Sequence, residues 1–128
     1  MASVEIDFVV TDCLLALDFY EGFFDIARVE VTDNQAGSNE AIFTMYGCRF
    51  HMLDENPAFY LIAPKPGDPK SMWVNIVLDD IQQCYDKALA AGCTEIQGVT
   101  ENAALGLSNA IFVDPFGYIW MLHEMHNE

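Results

Sequence analysis

Two stretches of this chain, about 70 residues apart, follow the same plan, and that repetition limits the fold more than any other feature. Residues 4–12, VEIDFVVTD, and residues 72–80, MWVNIVLDD, are alternating apolar runs ending in an aspartate that opens a helix-like stretch. Asp12 thus aligns with Asp80 at an offset of 68 residues. Later, Phe43–Gly47 (FTMYG) and Val113–Gly117 (VDPFG) each set an aromatic and a glycine before an apolar strand, with Gly47 matching Gly117 at an offset of 70. Two copies of one supersecondary unit predict a shared sheet, and the cleft between copies is a natural place for a ligand.

A chain of 128 residues suits a single domain with a real core. Cys13, Cys48, Cys84 and Cys93 form no CxxC pair and lie in or beside apolar patterns, so they read as reduced thiols of a cytoplasmic protein, with one structural disulfide as the alternative. The N-terminus lacks a basic segment followed by an apolar one, and no run approaches the ~18 apolar residues of a membrane span. Five basic residues stand against twenty acidic ones, a formal charge of −15. Such a field repels nucleic acid and anionic membranes and favours cationic or neutral partners; it also keeps a small protein soluble.

Residues 4–10 alternate as a half-buried strand, with Val4, Ile6, Phe8 and Val10 on one face and Glu5, Asp7 and Val9 on the other. Thr11 or Asp12 caps a helix ending at Gly22, and strands are expected at about 26–32, 40–46 and 48–53. This makes module 1, residues 1–56, a β-α-β-β-β unit. Residues 57–70 carry four of the five prolines and read as a linker whose apolar middle, 58–63, forms an edge segment or a dimer contact. Module 2, residues 71–128, repeats the order. Its helix is capped by Asp79 or Asp80 and ends at Gly92, with strands at about 94–97, 108–113 and 118–124. Residues 98–106, GVTENAALG, read as a loop, either an ordinary connection or a cover for a pocket.

The aromatic pair in LDFYEGFF (17–24), the segment DDIQQCYDKALAAGC (79–93) and the closing VDPFGYIWMLHE (113–124) resemble the vicinal-oxygen-chelate superfamily of glyoxalases, bleomycin-resistance proteins and dioxygenases, above all its PhnB-like branch. The resemblance spans nearly the whole chain, and DPFG-x-x-W (114–120) is its most specific part. It implies an α+β fold of two tandem β-α-β-β-β modules forming curved mixed sheets around a cleft, and a homodimer. At the positions of the branch's Trp-Gly pair and arginine this chain has Leu105, Gly106 and Ser108, and a missing arginine argues against a phosphate or carboxylate substrate.

Enzymes of the superfamily hold a divalent ion with His or Glu from both modules. Seven residues before the helix-opening aspartates stand Glu5 and Trp73, and four after the hairpin glycines stand His51 and Met121. Glu5 and His51 are competent ligands; Trp73 is not, and the Met121 thioether is too soft for the ions this chemistry uses. No metal or other cofactor is therefore expected, and any metal would rest on Glu5 and His51, with Asp7 and His123 placed two residues along the same faces. The expected ligand-binding cleft comprises Glu5, Asp7, His51, Trp73, Asn75, Met121 and His123. Trp73 is an aromatic plate for a cationic or flat ligand or a filler of the core; His51 is a hydrogen-bonding or acid/base group or a structural one. Trp120 should face the helix, and His126 lies in the polar tail without a role.

The reading is a small-molecule binder without a full metal site, dimeric, with no nucleic-acid or membrane partner. The alternatives are a divalent-metal lyase, isomerase or dioxygenase, and a protein that only dimerises through residues 58–63.

Overall fold

A computed structural model describes residues 2–126. The chain divides into two compact units, Met1–Pro64 and Lys65–Glu128, and both run β-α-β-β-β. The first contains β1 (Ile6–Val10), α1 (Cys13–Glu21), β2 (Ile26–Val31), β3 (Glu40–Met45) and β4 (Cys48–Asp54). The second contains β5 (Val74–Val77), α2 (Ile81–Ala91), β6 (Thr94–Asn102), β7 (Leu107–Val113) and β8 (Ile119–Met125). Each unit forms a mixed four-stranded sheet, ordered β1-β4-β3-β2 and β5-β8-β7-β6, in which the first strand pairs in parallel with the last and the other pairs are antiparallel.

The helices start where the aspartates place them. Asp12 accepts the Leu15 N–H at 3.1 Å and Asp80 accepts the Gln83 N–H at 3.2 Å, each satisfying a donor that an α-helix leaves unpaired in its first turn. A second acid, from the last strand of the same unit, takes the first helical N–H. Asp54 Oδ1 receives Cys13 N–H at 2.7 Å, and Glu124 Oε1 receives Ile81 N–H at 3.1 Å. The helix is thereby tied to the strand it packs on. Each helix buries one stripe, Cys13, Ala16, Leu17 and Tyr20 in α1 and Ile81, Cys84, Tyr85 and Ala88 in α2.

Beneath them lie the inward faces of the sheets. Phe43 and Phe50 stack with centroids 5.5 Å apart, and Tyr20, Phe23 and Phe24 of the LDFYEGFF stretch join the same core. In the second unit Ala110, Phe112, Trp120 and Leu122 are buried under α2. The DPFG-x-x-W stretch closes on itself: buried Asp114 accepts N–H bonds from Phe116 at 2.8 Å and Tyr118 at 3.0 Å, and from the Trp120 indole at 2.7 Å. The equivalent hairpin of the first unit needs no such brace, because Tyr46 and Gly47 both have positive φ, 49° and 84°, as a two-residue turn of this twist requires.

Two expectations are corrected. The segment 98–106 is not a loop: β6 continues to Asn102, and only a short turn precedes β7. Bulges between Glu95 and Gln97 and between Gln97 and Thr100 let the strand carry Gly98, where a Cβ would meet Glu95 Oε2 at 2.9 Å. The first strands of the two units begin at Ile6 and Val74, so Val4 and Met72 lie outside the ladders, exposed. The segment between the units holds a 3-10 turn (Pro57–Phe59) and a single bridge from Asn56 to Leu61. Ala63 is buried, but Phe59, Tyr60 and Ile62 are 73%, 95% and 69% exposed.

All four cysteines are free. Burial pushes the Cys13 thiol up to about 12 and that of Cys84 up to about 11, so neither is a reactive thiolate near neutrality. Among the described residues no helix is long and apolar enough to cross a membrane.

Candidate functional site

In each unit the helix covers one face of the sheet and leaves the other open. On the open face of the first unit the parallel register of β1 and β4 sets Asp7 opposite His51, and Glu5 precedes Asp7 by one period-2 step. The result is a compact cluster. His51 Nδ1 lies 3.4 Å from both Glu5 Oε1 and Asp7 Oδ2, while Nε2 lies 2.6 Å from Glu40 Oε1. One ligand atom from each of Glu5, Asp7 and His51 falls within 4.8 Å of the others. The imidazole is mostly covered, its side chain 17% exposed.

Charge is unevenly spent here. Arg49 Nε donates to Glu5 Oε2 at 2.6 Å, and this bond holds the Glu5 carboxyl below its usual range. Asp7 has no such partner; desolvation, followed by the neighbouring Glu5, raises its carboxyl above the usual range. The short contact to Glu40 requires a proton on Nε2, since a carboxylate only accepts. Nδ1 then meets the two carboxyl groups either as a second N–H, which makes the ring an imidazolium, or as a lone pair, which accepts a proton from a carboxylic acid or binds a cation.

The second unit builds the same frame with different side chains. Asn75 pairs with Met121 just as Asp7 pairs with His51. Trp73 precedes β5 and is 47% exposed, so it does not fill the core; Asn75 is exposed, and Met121 and His123 are half-buried. His123 Nε2 approaches Met125 Sδ at 3.2 Å. The structure thus gathers Glu5, Asp7 and His51 on one face, and aligns Asn75, Met121 and His123 on the other.

Sequence reasoning missed Glu40 and Arg49. Arg49 was within reach, since it precedes His51 by one alternation of the same strand. Glu40 was not: its approach depends on the β3–β4 register set by the turn at Tyr46 and Gly47. A separate cleft beside α1, about 370 Å³ and lined by Leu14, Leu17, Asp18, Arg28 and Val31, offers less. Its one guanidinium is already committed to Asp18 at 3.0 Å and Glu21 at 2.7 Å.

Residues 3–122 match the family profile described as the Glyoxalase/Bleomycin resistance protein/Dioxygenase superfamily. The chain belongs to this superfamily. No curated protein sequence matches it. Among solved structures, the chain resembles fosfomycin resistance protein FosX from Listeria monocytogenes in its tetragonal form, with a TM-score of 0.74, 12% identity, and 100% of this chain and 94% of that chain covered. TioX from Micromonospora sp. ML1 gives a TM-score of 0.71, 18% identity and coverage of 99% and 100%. A glutamate-to-glutamine mutant of the Listeria FosX, solved with Mn(II) and 1S,2S-dihydroxypropylphosphonic acid, gives 0.72, 14% identity and coverage of 96% and 90%.

For this superfamily member the fit of a divalent ion can be judged from its donors. Glu5, Asp7 and His51 supply two carboxylates and one imidazole nitrogen in one cluster, a hard-to-borderline set that suits such an ion. Trp73 and Met121, at the matching positions of the second unit, do not.

Proposed function

We propose that this superfamily member binds a small organic cation, with Glu5 and Asp7 receiving its charged group and His51 completing the contact. The observation that carries this reading is the arrangement of three carboxylates around one imidazole with a single guanidinium nearby. Arg49 satisfies one oxygen of Glu5, which leaves the other Glu5 oxygen and Asp7 turned toward Nδ1 of His51, with no guanidinium on either. An amine or amidine would pair with both, as an imidazolium does.

A second reading rests on the same residues. Glu40 holding the outer nitrogen of His51 is how metal-bound histidines are commonly oriented, which favours a divalent ion on Glu5, Asp7 and His51. Bound there, the ion would act as a Lewis acid toward a substrate oxygen. Calorimetry separates the two. A panel of cationic aromatics and, separately, Mn(II) and Zn(II) are titrated into the wild type and Asp7→Asn. Organic-cation binding that weakens roughly three- to tenfold in Asp7→Asn supports the first reading. A stoichiometric metal with no organic binding replaces it with the second. Absence of either response sinks both.

The DPFG-x-x-W brace supports placement in the PhnB-like branch, and four free thiols suit a reducing compartment such as the cytoplasm. We assign the exposed Phe59, Tyr60 and Ile62 to self-association as a homodimer.

A further inference from the structure

The open face of the second unit has lost hard ligands without becoming inert. Along β8, Trp120 and Leu122 point to the helix and are buried, so Met121, His123 and Met125 line the opposite face at successive period-2 steps. We propose that this stripe is a binding site for a soft monovalent metal ion of the Cu(I)/Ag(I) class.

Two of its three donors are thioethers, which select soft ions, and the third is an imidazole, which such ions also accept. His123 Nε2 and Met125 Sδ are already 3.2 Å apart, so little movement brings both onto one ion. Met121 carries three rotatable side-chain bonds and can reach along the strand to join them. The other ring nitrogen is out of reach: Nδ1 of His123 is buried and without a hydrogen-bond partner, leaving Nε2 as the nitrogen available to a ligand. An unsatisfied buried atom of this kind is rare in a site selected for stability alone.

The neighbours exclude a hard ion. Met121 lies between Asn75 and Ile111, and His123 between Val77 and Asn109, so the flanking strands present amides and aliphatic groups and no carboxylate at these positions. Asn109 is engaged by the Gln97 amide at 2.7 Å. A thioether pair in such surroundings gives Mn(II) or Mg(II) nothing to bind, whereas d10 monovalent ions accept few donors of this type. Met125 is 48% exposed, which opens the site to solvent, and the chain's charge of −15 raises the local concentration of any cation.

The test uses Ag(I), which needs no reductant, and the full chain with methionines labelled at the ε-methyl. Cys48→Ser is the background, because Cys48 is the half-buried thiol that competes for soft ions. About one equivalent of Ag(I) should shift the Met121 and Met125 methyl signals and leave buried Met52 in place. Met125→Leu and His123→Asn should each weaken binding by roughly tenfold or more, Met125→Leu guarding against a fold defect because its side chain is half exposed. Equal shifts at exposed Met72, or affinity unchanged in both variants, overturn the proposal. Asp7→Asn should leave Ag(I) binding intact, so the fate of this site is independent of the first unit's.

Discussion

His51 is held at both nitrogens by acids, and the two acids on its Nδ1 side titrate in opposite directions. Folding lowers Glu5, so its contribution to stability is present above the usual carboxylate range and is lost as pH falls through its depressed value. Folding raises Asp7, so its contribution is full below the usual range and is lost as pH rises through its raised value. The two groups act in opposite directions on stability but not on binding. A cation requires both groups ionised, and Asp7 is the first to take a proton as the solution is acidified. Affinity for the organic cation should therefore decline as pH falls through the raised value of Asp7, and Asp7→Asn should flatten that decline. Titration calorimetry across that value reads it; a wild-type profile as flat as the variant's rejects Asp7 as the controlling group.

At the scale of elements, both helices depend on a local cap and a long-range one. Asp80 satisfies a single N–H next to its own helix, whereas buried Asp54 accepts three, from Cys13 at 2.7 Å, Asn39 at 2.9 Å and Gly37 at 3.0 Å. Replacing Asp80 by alanine should cost about 1 kcal/mol, as loss of a cap usually does. Asp54→Ala leaves buried donors unpaired and should cost about 3 kcal/mol. Urea denaturation with unchanged m-values measures the difference, and equal costs would contradict the bracing role of Asp54. Legibility follows the same division. Asp12 and Asp80 could be read as caps because a cap and its donor lie three residues apart. Asp54 could not be read so, since its partners are 15 to 41 residues away. The 98–106 segment misled for a related reason: glycine and small polar residues signal a loop, but pairing with β7 and two bulges kept the strand going.

Across the whole molecule, strong acidity and an exposed apolar segment oppose each other. A second copy covering Phe59, Tyr60 and Ile62 must overcome repulsion between chains that each carry −15. Dimerisation should therefore strengthen with salt, the reverse of organic-cation binding, which salt screens. Light scattering after size exclusion should show the dimer fraction rising between about 0.05 and 0.5 M NaCl, and Tyr60→Ser with Ile62→Ser should abolish it. A monomer at every salt concentration removes residues 58–63 from consideration as an interface.

The β-α-β-β-β repeat, the helix caps and the buried stripes were set by the sequence by itself, because each depends on spacings of two, three or four residues along the chain. The broken match between Glu5 and Trp73, and between His51 and Met121, was visible there too. Only tertiary structure decided that Asp7 joins Glu5 and His51 in one cluster. The parallel pairing of β1 with β4 brings residues 44 positions apart to one spot, and the β3 register delivers Glu40 to the far side of the ring. Such convergence depends on strand register, which acts between distant segments and leaves no local periodicity for a sequence to display.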